Sequence, residues 1–412
     1  MCQNNCIRYW GYIDNVSNGI LCLVPGVSCE KPLGRRVAVP VIHVSGTHYE
    51  VGYDVGRTFS SIIKSFIATY ENLRDFEKEY ATDTGRKAYD TTLANMKKRF
   101  PHYVKEMQGV ADGANVNFTQ LFLLQMDDLI GNVNDNHIPR NDTGGCSSIA
   151  FKNPQATLLG HTEDAFHETL NHFYIMSAHI TPSPEDAKAG AVEERFASLC
   201  YAGHMPGYTM GYNGNGLVFS INTLSPLVLK HGNTPRTFIT RAMLAAKNFE
   251  EAEHILLDEG LGIGNGFSVN MIWTNNWGDR QIYNVEVSPD LKADRSHLNV
   301  QKYDKEPLVH TNKYLRTNIT EATGRIIDSS VARLRVIHSY PKPHTRKELA
   351  EIISDTSDKE FRLFQDHPDD IIMTIAAGIF DLDKRTWSIY INKPKCSEPV
   401  AVLPITFSAL DY

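Results

Sequence analysis

The chain has 412 residues, enough for a large buried core, and its 42% hydrophobic and 22% charged residues are ordinary for a globular protein. Its 48 acidic residues outnumber the 41 basic ones, and the net charge of −7 disfavours nucleic acid and anionic membranes as partners. The longest apolar stretches are too short to span a bilayer, so we expect a soluble protein with no membrane partner.

Three stretches in the first third of the chain have apolar residues at helical spacing, namely 49–73, 86–100 and 118–129. Gly52 and Gly56 lie on one side of the first stretch, which indicates close contact with another backbone. Pro101 is expected to end or kink the second helix. Residues 1–36 show no sustained periodicity, and we assign this leader no role.

A polar loop from Gly131 to Gly145 separates these helices from a part of the chain in which strands and hairpins predominate. Strands are predicted at 146–152, 158–162, 173–180, 207–212, 217–222, 268–274, 280–287, 371–380 and 386–391. Helices are predicted at 234–258, 329–338 and 346–354. Because hairpins join neighbouring strands, the sheets should be at least partly antiparallel, which disfavours a doubly wound fold.

The seven cysteines lack the spacing of a disulfide framework or a zinc site, and four of them fall in the first 29 residues. The N-terminal segment also lacks the charged and apolar regions of a secretory signal. We therefore expect a reducing, cytoplasmic location.

The segment from Gly144 to Ser148 is the most informative motif, because Cys146 opens a strand behind two glycines and a polar loop. Such a position allows close approach to the backbone. Spacing alone nevertheless favours a half-buried structural cysteine. Cys200 and Cys396 have no comparable setting and are expected to be inert.

Other motifs are weaker candidates for a site. His167 and His172 are five residues apart, about 140° around a helix, and so cannot share a metal. The glycine-rich segment 260–266 follows a helix, precedes a strand and lacks a lysine, which disfavours a phosphate loop. A papain-like site would need its cysteine at a helix start, whereas Cys146 precedes a strand. We expect no metal and no cofactor.

The motif GGCSSIAF, with GHTED beginning fourteen residues after the cysteine, resembles the core of the N-terminal-nucleophile acyltransferases typified by acyl-coenzyme A:6-aminopenicillanic acid acyltransferase. Cholylglycine hydrolases are more distant relatives. Segments 45–59, 105–124, 200–226 and 374–386 also resemble that family, whereas residues 1–36 lie outside the resemblance. GTHYEVG, GHTEDAFHETLNH, SLCYAGHMPGYTM and GIFDL more closely resemble the family's hydrolases of N-β-alanyl amines.

The resemblance implies an α+β fold, a four-layer αββα sandwich of the N-terminal-nucleophile hydrolase type, made as a precursor that cleaves itself between Gly145 and Cys146. Cleavage would separate residues 1–145, which comprise the leader and a helical chain from 37 to 145, from the sheet-rich catalytic chain 146–412. The two chains are expected to remain together as a heterodimer that forms one domain. Cys146 would then carry a thiol and a free α-amine, whose pKa of about 7.7 to 8.0 suits a base at neutral pH.

The resemblance also implies roles for four other residues, each carried over from a matching motif. Asp164 would hold the amine and thiol of Cys146. Asn222 and Asn270 would shape an oxyanion hole. Arg333 would hold Asp164 or polarise the site.

Residue type alone suggests plainer roles for the same positions. The aspartate would be an exposed or capping residue, the asparagines would lie in turns or at edges, and the arginine would lie on a helix surface. Ala332 stands where many relatives have serine, so this chain has no hydroxyl group at that position. His161 stands where cholylglycine hydrolases have arginine, which suggests that the end of the substrate near this position differs from that of their substrates.

The leading hypothesis is an amidohydrolase that cleaves β-alanyl amides of biogenic amines, such as N-β-alanyl-dopamine and β-alanyl-histamine, through a thioester on Cys146. One alternative is an acyltransferase or penicillin-amidase-like hydrolase of the same family that acts on another amide. A second alternative is an uncleaved, non-enzymatic scaffold, which the presence of Gly145, Cys146 and Asp164 disfavours.

Overall fold

The structure is a computed structural model that describes residues 34–131, 145–276, 278–368 and 370–408. The predictions for most of the leader and for loop residues 132–144 therefore lie outside the described residues. The helices of the described ranges are α1 (His48–Thr58), α2 (Ser60–Thr69), α3 (Glu71–Tyr80), α4 (Asp83–Arg99), α5 (Pro101–Ala114), α6 (Phe118–Met126), α7 (Asp128–Gly131), α8 (Pro184–Lys188), α9 (Arg236–Met243), α10 (Phe249–Leu257), α11 (Arg325–Ser339) and α12 (Arg346–Ile353).

The strands of the same ranges form two sheets, and their bounds are β1 (Val41–Gly46), β2 (Ser147–Lys152), β3 (Thr157–Phe166), β4 (Phe173–Ile180), β5 (Glu194–Tyr201), β6 (Met210–Asn213), β7 (Leu217–Leu224), β8 (Gly266–Asn276), β9 (Asp279–Pro289), β10 (Ser296–Tyr303), β11 (Leu308–His310), β12 (Ile372–Asp381), β13 (Thr386–Tyr390) and β14 (Ala401–Pro404). One sheet has eight strands in the order β1-β4-β5-β6-β7-β8-β9-β10, and the other has six in the order β11-β2-β3-β12-β13-β14. All these pairings are antiparallel except that of β1 with β4. The expectation of an α+β chain with largely antiparallel sheets is confirmed.

The N-terminal third is not entirely helical, because β1 pairs in parallel with β4 at the edge of the larger sheet. The predicted helix 49–73 is also wrong as one element. It is divided among α1, α2 and α3 by the non-helical residues Phe59 and Tyr70. Pro101 begins α5 at its first position, where a missing N–H costs no hydrogen bond.

The predicted contact at the glycines of α1 is confirmed. A Cβ added at Gly52 would lie 2.0 Å from the carbonyl oxygen of Glu106 on α5. A Cβ added at Gly109 of α5 would in turn lie 2.2 Å from the carbonyl oxygen of Tyr49. The two backbones therefore touch where only glycine leaves room.

The predicted helix 234–258 is two helices, α9 and α10. Asn248 interrupts it with an extended backbone and caps α10 by accepting a hydrogen bond from the N–H of Glu251. The periodic apolar residues continued across this break, so the pattern alone merged the two helices.

Three clusters of buried apolar side chains hold the helices and sheets together. The first joins the N-terminal helices to the larger sheet and includes Phe66 and Phe219. The second contains side chains of both sheets, such as Ile272 and Ile375. The third joins the smaller sheet to α11 and α12 through residues such as Leu349.

None of the helices in the described ranges has both the length and the apolar character needed to cross a bilayer.

Candidate active site

Cys146 lies directly before β2, buried at one end of the smaller sheet. The antiparallel pairing of β2 with β3 sets Ser147 opposite Thr162 and thereby brings the next residues of β3, Glu163 and Asp164, beside the cysteine. Both carboxylate residues line the same cleft as Cys146. The strand pairing thus places the thiol among acidic groups.

The residue before the cysteine must be glycine. A Cβ added at Gly145 would lie 2.0 Å from Oδ1 of Asn312 and 2.9 Å from Nη2 of Arg333. Because both of these side chains are completely buried, neither has room to withdraw. The two glycines of the motif predict close approach to the backbone, and at Gly145 this prediction is confirmed.

Two side chains bind the carbonyl oxygen of Cys146. Nδ2 of Asn222 donates to it at 2.8 Å, and Nη1 of Arg333 donates to it at 2.7 Å. Arg333 lies on the buried face of α11, so its interpretation as a helix-surface arginine is wrong. The carbonyl between the nucleophile and Ser147 is therefore fixed from two sides.

Asn270 stands behind Asn222 and makes no hydrogen bond to Cys146. Its Nδ2 donates to Oδ1 of Asn222 at 2.6 Å, and its own Oδ1 accepts from Asn284 at 2.8 Å. Both Asn222 and Asn270 are buried within paired strands, so the alternative of turn or edge positions is wrong. Asn270 orients the amide that touches the cysteine.

Asp164 is buried, which rules out an exposed or capping role. One carboxylate oxygen accepts from the hydroxyl of Thr374 at 2.6 Å, and the other accepts from Nε2 of Gln365 at 3.3 Å. Burial raises the pKa of Asp164 to about 7, although the charge of Arg333 and the hydrogen bond from Thr374 oppose the shift. Among the ion pairs of the described residues, none joins Arg333 directly to Asp164, so the arginine acts on it at longer range.

The surroundings of Cys146 disfavour the ionised, thiolate form of its side chain. Burial raises its pKa well above the ordinary value, and the negative charges of Glu163 and Asp164 raise it further. The backbone N–H of Asp164 and the charge of Arg333 act in the opposite direction. Nucleophilic attack therefore requires a base, or a positive charge brought in from outside.

Sequence reasoning missed Glu163 and Asn312. Glu163 accepts hydrogen bonds from the hydroxyl of Tyr201 and, at 2.9 Å, from Nε2 of His161. Asn312 accepts from Nη2 of Arg333 at 3.0 Å, beside Gly145. The motif GHTED contained a signal for the glutamate, since it adjoins Asp164, but a single asparagine before a lysine offered none.

The cleft beyond Cys146 combines aromatic rings with acidic groups. The rings of Tyr201, His204 and Tyr208 cluster there, with centroids 5.5 to 5.7 Å apart. Farther along the wall, Arg236 pairs with Asp128 at 2.7 Å and with neighbouring Asp127. The aromatic rings of this wall can stack on an aromatic group or face a cation.

Two groups of buried side chains in the described ranges bring possible metal-ligating atoms within 4.8 Å of one another. They are Cys146 with His161 and Glu163, and His48 with His102 and Glu194. In the first group both ring nitrogens of His161 are already hydrogen-bonded, one to Glu163 and one to Ser148. The expectation of no metal or cofactor stays a prediction.

Comparison with known proteins gives two matches. Residues 151–396 match the model of the acyl-coenzyme A:6-aminopenicillanic acid acyl-transferase family, a range that includes Asp164, Asn222, Asn270 and Arg333. The chain is also 43% identical over 390 residues to the β-alanyl-dopamine/carcinine hydrolase of Drosophila melanogaster, covering 92% of this chain and 100% of that protein. The predicted family and the predicted class, an amide hydrolase, are confirmed. The chain belongs to the acyl-coenzyme A:6-aminopenicillanic acid acyltransferase family.

Proposed function

We propose that this chain is a self-processing cysteine amidohydrolase that cleaves N-β-alanyl-dopamine and β-alanyl-histamine and releases β-alanine. The observation that carries the proposal is the 43% identity to a β-alanyl-dopamine/carcinine hydrolase along the whole length of that relative. The free thiols of Cys146, Cys200 and Cys396 are compatible with a cytoplasmic location, which we propose as well.

We also propose that the described elements form the four-layer αββα sandwich of N-terminal-nucleophile hydrolases. The three apolar clusters support this arrangement, since they lie between helices and a sheet, between the two sheets, and between the second sheet and two more helices. In such a sandwich the nucleophile opens an inner strand, as Cys146 does before β2.

Self-processing would begin with attack of Sγ of Cys146 on the carbonyl carbon of Gly145. The C–N bond between the two residues breaks, the nitrogen takes up the thiol proton, and a thioester joins Gly145 to Sγ. Water then hydrolyses the thioester, which leaves a carboxylate on Gly145 and a free thiol and α-amine on Cys146. The products are chains 1–145 and 146–412, which we propose remain associated as a heterodimer.

The neighbours of the cleaved bond have distinct roles in this proposal. Asn222 and Arg333 hold the carbonyl of Cys146 and so fix the nucleophile. Asn270 supports Asn222, and Asp164 orients the new α-amine. Arg333 flanks Gly145 and supplies a positive charge beside the bond to be cleaved.

Turnover would repeat the same chemistry with the substrate acyl group in the place vacated by Gly145. The α-amine of Cys146 takes the thiol proton as Sγ attacks the amide carbonyl, and returns it to the departing amine. Water, deprotonated by the same α-amine, then releases β-alanine from the thioester. Every proton transfer uses groups of the chain itself, so no cofactor is needed.

The test is incubation of the purified protein with N-β-alanyl-dopamine and β-alanyl-histamine, with β-alanine and the free amine measured as products. We expect hydrolysis of both amides by the wild type and by Cys396→Ala, whose thiol is exposed and outside the cleft. Cys146→Ala should release no β-alanine. Failure of the wild type to hydrolyse either amide would refute the proposed function.

A further inference from the structure

Glu163 is a buried carboxylate in the cleft wall to which neither self-processing nor turnover assigns a role. Only 3% of its surface is exposed, and one of its oxygens lies within 4.8 Å of Sγ of Cys146. The hydroxyl of Tyr201 and Nε2 of His161 bind its two oxygens and hold the carboxylate in one orientation. Each oxygen retains a lone pair for another donor.

Glu163 differs from Asp127 and Asp128, two other acidic residues of the cleft, in its partners. Asp127 and Asp128 share the guanidinium of Arg236. Glu163 forms an ion pair only with His161, and no lysine or arginine of the described residues lies within ion-pair distance of it. A buried carboxylate without a fixed cation favours a positively charged ligand.

The distance to the thiol suits one class of acyl group. A carbonyl carbon under attack lies about 3 to 3.5 Å from the nucleophile. In a β-alanyl group two methylene carbons separate that carbon from the primary ammonium, which places the ammonium about 4 Å away. An ammonium on this flexible arm can therefore reach a carboxylate that lies within 4.8 Å of Sγ.

We propose that Glu163 binds the primary ammonium of the substrate acyl group and so selects β-alanyl amides over uncharged acyl amides. The inference rests on the proposed function and identifies the acyl-recognition group of that same site. Tyr201 and His161 are the residues that position the carboxylate.

The same contact would prepare the nucleophile. The charge of Glu163 is one cause of the raised pKa of the Cys146 thiol. An ammonium bound to that carboxylate neutralises it, so loss of the thiol proton becomes easier when the correct substrate is in place. An uncharged acyl group gives no such assistance, so discrimination should appear in kcat as well as in KM.

The first experiment uses the wild-type protein and two dopamine amides, N-β-alanyl-dopamine and N-propionyl-dopamine. The propionyl group has the same carbon chain but no ammonium. We expect kcat/KM to be at least about 30-fold higher for the β-alanyl amide, the ratio typical of a buried charge pair. Equal rates for the two amides would overturn the inference while leaving amide hydrolysis in place, whereas no hydrolysis of either would refute the proposed function.

The second experiment assigns the preference to Glu163. Glu163→Gln keeps the size of the side chain but removes the charge, so the ratio of the two kcat/KM values should fall at least about 10-fold. Glu193→Gln is the matched control, because that glutamate is 55% exposed and outside the cleft. An unchanged ratio in Glu163→Gln, or a collapsed ratio in Asp127→Asn instead, would overturn the assignment.

A third measurement covers the case in which Glu163→Gln does not mature. Glu163→Asp keeps the charge but withdraws it by one methylene. The preference should then shift toward 4-aminobutyryl-dopamine, whose ammonium is one carbon farther from the carbonyl. The same chain-length preference in the wild type and in Glu163→Asp would show that this carboxylate does not contact the ammonium.

Discussion

Arg333 and Cys146, 187 positions apart in the chain, are joined by a hydrogen bond of 2.7 Å from Nη1 to the carbonyl oxygen. The other terminal nitrogen of the same guanidinium binds Oδ1 of Asn312, against which Gly145 packs. The buried guanidinium of Arg333 therefore lies beside both residues of the Gly145–Cys146 peptide bond. It donates to the carbonyl of Cys146 and lies close to Gly145.

Self-cleavage should produce fragments of 145 and 267 residues, the larger beginning with Cys146. Cys146→Ala should remain a single chain because it lacks the attacking thiol. A denaturing gel and N-terminal sequencing of the larger fragment give the measurement, with Cys396→Ala as the control. A single full-length band in active wild-type enzyme would contradict self-processing.

Gly145→Ala should abolish or strongly slow the cleavage, although it adds only one methyl group. That methyl would lie 2.0 Å from Oδ1 of Asn312, so the peptide must move away from its hydrogen-bonding partners. Gly34→Ala is the matched control, since nothing lies within 4 Å of its added Cβ. Equal cleavage half-times in the two variants would show that the close fit around Gly145 is irrelevant to processing.

Asn222→Ala should reduce cleavage and turnover more than Asn270→Ala. The first substitution removes a donor that holds the backbone of the nucleophile, and misplacement of a reacting group by about 1 Å can reduce the rate by about 10². The second removes a group that acts through Asn222, so we expect a loss of about 10-fold. Turnover numbers of the purified variants test the order, and a larger loss in Asn270→Ala would reverse the assigned roles.

Removal of the Asp164 carboxylate should stabilise the uncleaved chain in a pH-dependent way. Folding raises the pKa of Asp164 to about 7, so the folded chain binds the proton more tightly than the unfolded chain does. The resulting stability is complete below the unfolded pKa, near 4, and is lost as the pH rises through about 7. A non-titrating asparagine avoids that loss.

The comparison is best made between Cys146→Ala and Cys146→Ala/Asp164→Asn, both of which should be single chains. The Tm of the double variant should rise relative to that of the single variant between pH 4 and pH 8, by the equivalent of up to about 4 kcal/mol. Parallel Tm curves across this range would contradict a raised pKa of Asp164.

The two chains should stay together after cleavage. Phe66 and Leu124 of the N-terminal chain share one apolar cluster with Phe219 and Met271 of the larger sheet, a contact too apolar to be exposed to water. Native gel filtration should give one species that contains both fragments. Recovery of a separate, soluble fragment 1–145 would contradict the association.

Much of the fold could be predicted because amphipathic patterns are local. The predicted strands 268–274 and 280–287 agree with β8 and β9, and helix 329–338 lies inside α11. β1 was missed because its partner β4 begins 127 positions beyond the end of β1, and an edge strand with half-exposed residues has little pattern of its own. The helix breaks at Phe59 and Tyr70 were missed because apolar spacing continues across them.

Residues of the candidate site could be predicted from the sequence only where they belong to a recognisable motif. Asp164 and Arg333 were placed by short motifs, while residue type alone would have put both on the surface. Glu163 and Asn312 depend on which strands and helices meet beside Cys146, and local periodicity carries no information on that meeting. The burial that sets these polar residues beside Cys146 results from tertiary contacts, which a local sequence pattern does not show.

Because β1 pairs with β4, a cleaved molecule would keep a fold that was assembled before the cleavage. If the chain is cut as proposed, β1 and β4 would belong to separate polypeptides, and unfolding would release two molecules instead of one. Renaturation would then be a second-order reaction, slowest in dilute solution, whereas an uncleaved chain would fold with β1 and β4 tethered. Each copy would therefore have to fold before it is cleaved. After cleavage, the lifetime of the folded state would depend on the height of the unfolding barrier.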